Sequence, residues 1–251
     1  MERDIIWIAS YPRSGNTLMR AIVASMKLGQ PVESAEEIRD TCPDLHADPI
    51  PAPNGQVRYV KTHLIASYLH PCWERTRGAI VVVRDPLETL ASNVDYLSNV
   101  YRADGNTFLN FVKYMGVPEW DRMGMGTWPV NVGSWVAEAS RIPIAFVRYC
   151  SLKLSATSAA CAARRAISML DDSTNGSTIA VATRTLTRDY MRRLADADAD
   201  MAVFGRPGAQ CGSTRFVSNY DRQKQRLGWH GHASQHPNYA RLKSLGELFY
   251  M

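Results

Sequence analysis

The sequence predicts an α/β fold: a central parallel sheet flanked by helices, with a P-loop-like strand-loop-helix unit at its start. Two observations carry that reading. Short β-branched runs at 5–9 (IIWIA), 57–60 (VRYV), 79–83 (AIVVV) and 144–149 (IAFVRY) alternate with longer stretches of helical periodicity. They read as strands buried on both faces, the pattern of a sheet covered by helices. The first run also passes through a tight turn, SYPRSGNT at 10–17, straight into a helical pattern. The 251 residues, 45% of them hydrophobic, suffice for one core, so the chain is expected to be a single domain, 1–251.

Taken in order, 17–28 is the first expected helix and the proline-rich stretch 42–55 a loop long enough to act as a lid. Asp85-Pro86-Leu87-Glu88 opens the helix expected over 87–100, with a capping residue, a proline at the first helical position and a glutamate three beyond the cap. Residues 115–129 form a second expected loop, with Trp120 and Trp128 as pocket wall or core. An alanine-rich helix is expected over 156–170, and 205–234, rich in Gly, Ser, Arg and Gln, as a flexible segment ordered by ligand. His230, His232 and His236 lie in that tail without nearby carboxylates, which argues against a metal site.

Composition narrows the partners. A net charge of +5, from 29 basic and 24 acidic side chains without concentrated basic runs, favours a small anionic ligand over nucleic acid. Five cysteines without a C-x-x-C pair suggest neither a disulfide framework nor zinc, and point to the cytoplasm. No apolar stretch reaches the ~18 residues of a membrane span.

Three motifs carry chemistry, each at the end of an expected strand. The turn at 10–17 presents helix-start N–H groups and the cation Arg13, a natural phosphate cradle. It has one glycine and no lysine before Thr17, so it is not the G-x-x-x-x-G-K-[ST] loop of magnesium-nucleotide enzymes. An ordinary turn capped by Ser14 or Asn16 is the alternative. Arg84 ends the run VVVRDP, and Ser92 follows about two helical turns later, so the two can clasp a further phosphate. The alternative pairs Arg84 with Asp85 or Glu88. YVKTH at 59–63 delivers His63 to the same sheet edge, where open α/β sheets bind ligands.

Together, Tyr11-Pro12-Arg13-Ser14-Gly15-Asn16-Thr17, Lys61-Thr62-His63 and Arg84-Asp85-Pro86 with Ser92 resemble the signatures of cytosolic-type sulfotransferases. These use 3'-phosphoadenosine 5'-phosphosulfate (PAPS) and release 3'-phosphoadenosine 5'-phosphate (PAP). The segments GTWP at 126–129, Ser134-Trp135 and FVRY at 146–149 extend the likeness, which covers about residues 5–170. Length and mid-chain segment look most like bacterial members that sulfate natural products, including glycopeptide antibiotics. The resemblance implies that Arg13, Ser14, Gly15, Asn16 and Thr17 hold the 5'-phosphosulfate, and that Arg84 and Ser92 hold the 3'-phosphate. It further implies Leu18, Tyr149 and Thr185 on the adenine side and His63 as general base, with Arg13 stabilising the leaving group. No metal is implied, and the acceptor is a small molecule.

The chain departs from the family pattern in four places. Arg13 stands where lysine is usual, which keeps the charge but makes it planar and unable to give up a proton. Cys150 and Ser151 replace the acidic pair after the tyrosine, and Asn131 replaces a second histidine. The late R-K-G signature has its nearest counterpart at 215–222, with Arg222 or Lys224 as the substitute cation. Competing classes are a P-loop-type small-molecule kinase and a non-enzymatic nucleotide-binding protein.

Overall fold

The computed structural model describes residues 2–98, 103–171 and 221–249, the side chains of 221–225 excepted. Among them, four strands form one parallel sheet in the order β2-β1-β3-β4. They are β1 (Ile5–Ala9), β2 (Arg58–Thr62), β3 (Thr76–Val83) and β4 (Ile144–Arg148). The helices are α1 (Asn16–Leu28), α2 (Ala35–Thr41), α3 (Pro86–Leu97), α4 (Gly105–Tyr114), α5 (Pro118–Arg122), α6 (Trp128–Glu138), α7 (Tyr149–Leu154), α8 (Ala156–Ser168), α9 (Asp221–Ala233) and α10 (Pro237–Glu247).

Both central strands are covered on both faces. Ile6, Ile8, Ile80 and Val82 pack with Met19, Ile22, Ala159 and Ala163 of α1 and α8. Trp7, Ala79, Val81 and Val83 pack on the other side with Leu90, Val94, Phe108, Val132 and Trp229. The strand's period of two sorts each run between the layers. The edge strand β4 departs from the expectation of two-sided burial, since Phe146 is 38% exposed while Ala145 and Val147 are buried. Its buried residues share the face packed on α8, and the opposite face stays partly open at this edge.

The expected start of α3 is present: Asp85 accepts the Glu88 N–H at 2.8 Å and Pro86 stands in the first turn. The two expected loops differ from their sequence reading. Residues 43–45 run beside β2, with the Lys61 N–H donating to the Pro43 carbonyl at 2.8 Å and the Leu45 N–H to that of Lys61 at 3.0 Å. The stretch is thus anchored to the sheet edge. Within 115–129 lie α5 and the start of α6, because burying Trp120 and Trp128 draws the chain into the core. The indole N–H of Trp120 donates to Asn93 Oδ1 of α3 at 2.8 Å.

The C-terminal helices brace α3 and α4. Helix α9 packs on α4, and α10 on both α3 and α4. A Cβ at Gly246 would stand 2.8 Å from Asp85 Oδ2, which shows how closely α10 approaches the start of α3. No helix among the described residues is long and apolar enough to cross a membrane.

Candidate active site

Each strand hands a polar or aromatic residue to the same edge of the sheet directly after its last residue: Ser10 after β1, His63 after β2, Arg84 after β3 and Tyr149 after β4. Parallel strands all end at one side, and β1 lies between the two directions in which the chain winds. That is the switch point where open sheets leave room for a ligand.

The turn after β1 is held from below and open above. The Asn16 amide donates back to the Ile8 carbonyl at 2.8 Å and to Ser10 Oγ at 3.2 Å. Tyr11 Oη accepts the Val117 N–H at 2.8 Å, which ties the turn to the segment before α5. Arg13 has the left-handed φ of 69° and Gly15 a φ of 103°. No side chain caps α1, contrary to the reading of Ser14 or Asn16 as its cap, because the Asn16 amide is committed to β1. Its first-turn N–H groups and dipole are therefore presented to the turn. Arg13 Nε and Ser14 Oγ are buried without a hydrogen-bond partner. The Arg13 guanidinium lies over the Tyr96 ring, 5.0 Å from its centroid. Burial works against the Arg13 charge, which Tyr96 and Asp95 favour.

Arg84 closes the other side of the turn. It donates to the Arg13 carbonyl at 3.0 Å, and its guanidinium covers the Tyr149 ring at 4.8 Å. It also reaches Glu88 Oε2 at 3.4 Å. Glu88, Ser92 and Asp95 follow one another along one face of α3 by the i, i+4, i+7 rule. Arg226 of α9 lies across that face, paired with Asp95 and 3.6 Å from the same Glu88 oxygen. Two arginines 142 positions apart in the chain thus flank the helix turn that carries Ser92.

His63 is oriented by its backbone and by its ring. Its Nδ1 lies 2.7 Å from the Ser10 carbonyl, which can only accept, so Nδ1 carries the hydrogen and Nε2 is the basic nitrogen. Asn131 donates to the His63 carbonyl at 2.8 Å and to that of Met125 at 2.7 Å. Thr62 Oγ1 accepts the Leu64 N–H at 3.1 Å and is bonded to His70 Nε2 at 2.9 Å. Burial, then the charge of Lys61, pushes the His63 imidazole down to about 3. The imidazole is therefore neutral at pH 7. Lys61 is itself paired with Asp44.

The sequence signature of the sulfotransferase domain matches residues 3–162. The chain belongs to the sulfotransferase family. Solved structures share its fold. The sulfotransferase superposes on mouse sulfotransferase SULT7A1 complexed with PAP at a TM-score of 0.58 and 16% identity, over 98% of this chain and 90% of that one. It superposes on retinol dehydratase in complex with androsterone and inactive cofactor PAP at 0.52 and 17%, over 94% and 82%. For retinol dehydratase with retinol and PAP the values are 0.53 and 16%, over 94% and 82%. No curated protein matches the sequence.

In the sulfotransferase, Arg13, Ser14, Gly15, Arg84 and Tyr149 form one contiguous group, and Ser92 lies on the α3 face that Arg84 approaches. Thr17 stands in the first turn of α1, and Leu18 packs partly against the core beneath it. Thr185 lies outside the described residues, and Arg222, on α9, outside the described side chains. Asn131 spends both amide N–H groups on two carbonyls, while its Oδ1 is buried without a hydrogen-bond partner. Arg226 was not among the expected cations. The one sequence signal for it is that it follows Arg222 and Lys224 in the same basic stretch.

Gly15 allows a sharp test of this group. A Cβ there would lie 2.4 Å from Tyr149 Cδ2, and its backbone is left-handed. Gly15→Ala is expected to cost about 1–3 kcal/mol in backbone strain and to push the Tyr149 ring from Arg84. A lowered melting temperature and lost PAP affinity are expected; parent-like values for both would show that the ring does not seal the turn.

Proposed function

We propose that the protein moves a sulfuryl group from PAPS to a hydroxyl, or an amine nitrogen, of a small or medium-sized natural product, as a cytoplasmic enzyme with His63 as general base. The observation that supports this most is the pair of anion sites on one sheet edge. One is the uncapped turn with its unpaired Arg13 Nε and Ser14 Oγ; the other is the Arg84–Ser92–Arg226 face of α3. A nucleotide phosphorylated at both 5' and 3' ends needs two such sites, and a nucleoside triphosphate needs one. The family and the PAP named in the matching structures agree with this reading. The free thiols Cys42, Cys72, Cys150 and Cys161 suit a reducing compartment.

The residues fit such a donor by their chemistry. The buried unpaired donors of the turn seek anionic oxygens. Arg84 and Arg226 share one Glu88 oxygen, leaving each with guanidinium donors for a further acceptor. Bound there, PAPS supplies an activated sulfuryl group on a phosphate leaving group. His63 Nε2 takes the acceptor's O–H or N–H proton as that atom bonds to sulfur and the bond from sulfur to the phosphate oxygen breaks. Arg13 and the α1 N–H groups stabilise the charge that grows on the departing oxygen. Arg13 acts by charge alone, since a guanidinium does not release a proton. Tyr149 borders the turn on the adenine side.

Calorimetric titration with PAP, 5'-AMP and magnesium ATP tests the donor site without any acceptor. Clear preference for PAP is expected; equal or tighter binding of ATP would overturn the reading and favour a kinase.

A further inference from the structure

The stretch between α2 and β2 is built to hold a second imidazole beside the first. Its first residues, 42–48, are held by backbone hydrogen bonds. Arg20 Nε donates to the Cys42 carbonyl at 2.9 Å, and the sheet-like pairing of 43–45 with Lys61 fixes the chain up to His46. Asp44 organises a tight turn there: its carboxylate accepts the His46 N–H at 3.0 Å, and its carbonyl accepts the N–H groups of Ala47 and Asp48 at 2.9 and 2.8 Å. Asp48 Oδ2 in turn accepts the Asp44 N–H at 2.7 Å. The result is that the His46 ring lies nearly parallel to that of His63, at 22°, with the centroids 6.2 Å apart. His46 is exposed, whereas His63 is set back behind it.

We propose that His46 is a proton relay, which carries to solvent the proton that His63 takes from the acceptor. The inference rests on His63 being the general base. His63 Nδ1 is occupied by the Ser10 carbonyl, so a proton gained at Nε2 has to leave from Nε2. The imidazolium is poorly held there, because burial and Lys61 oppose it. The charged groups that act on both rings are Asp44 and Lys61, which are already committed to each other. The Nε2–H bond of His63 breaks and an N–H bond forms on His46 through a bridging water, since centroids 6.2 Å apart hold the ring nitrogens beyond direct hydrogen-bond reach. His46 then releases its proton to bulk water, and no electrons change hands otherwise.

Rapid-quench kinetics of His46→Ala and His46→Gln test the proposal. The acceptor is the one that gives turnover in a panel of phenols, alcohols and amines, or water itself if none does. The first turnover begins with neutral His63, so a burst of PAP at the parent rate is expected. A steady state slowed by about tenfold or more should follow, and added imidazole should restore it. Unchanged steady-state turnover overturns the relay. So does an equal fall of both phases without imidazole rescue, or full activity of His46→Gln, since a glutamine packs but carries no proton. His63→Ala separates the two ideas: if its first turnover keeps the parent rate, it is the general base that fails.

Discussion

His63→Ala is expected to lower turnover by about 10²–10⁴-fold while PAP binds as it does to the parent. The separation follows from where the residue stands. His63 follows β2, the edge strand, and its ring bonds to Ser10, whereas the anion-binding groups belong to the turn after β1 and to α3. Its protonation state also has a consequence for pH. An imidazole pushed down to about 3 by burial stays neutral well below the usual histidine range. The acid limb of kcat/KM for the acceptor should therefore fall below the ordinary value of about 6.5. Because the negative donor raises the basicity of a nearby imidazole, saturating PAPS should bring that limb upward. An acid limb at 6.5 or above in free enzyme would contradict the neutral, buried base, and near-normal turnover of the alanine variant would mean that the acceptor arrives already nucleophilic.

The second large effect is on donor selection. Arg84→Ala should weaken PAP binding by about 10–100-fold, the worth of a charge-assisted hydrogen bond or two, and leave 5'-AMP affinity much closer to the parent. Arg226→Ala is expected to act in the same direction. The two arginines meet at one Glu88 oxygen, so their effects should not add. Arg84→Lys keeps the charge but loses the planar fork that reaches the Arg13 carbonyl and covers Tyr149, and should recover only part of the affinity. Equal losses for PAP and 5'-AMP in Arg84→Ala would place Arg84 at the 5' end instead. Calorimetry with both nucleotides distinguishes the outcomes.

Much of this site is legible along the chain because parallel sheets obey a local code. A buried apolar run followed at once by a polar residue marks a strand's carboxyl end, and Ser10 and Arg84 follow that rule, whereas Lys61-Thr62 and Arg148 come between the apolar run and His63 or Tyr149. The start of α3 is equally local, since Asp85 and Pro86 supply a cap and a fixed φ within one turn. Asn131 shows the limit of that code. It stands where a second histidine is usual, and only packing shows its amide N–H groups turned onto two carbonyls. Residues 42–55 show another limit. Prolines announce an irregular chain but not that its first residues pair with β2 and place His46 against His63.

The α/β class, the order of the strands' chemical cargo, and the glycine and arginine of the first turn are all written along the chain. These depend on side-chain type and on neighbours a few residues away. Long-range packing sets Arg226 against Asp95 across 131 positions, Tyr149 over Gly15, and Asp44 against Lys61 beside His63. Such pairs are set by how helices pack on a twisted sheet, where the energy is shared among many contacts and no short stretch of chain carries it.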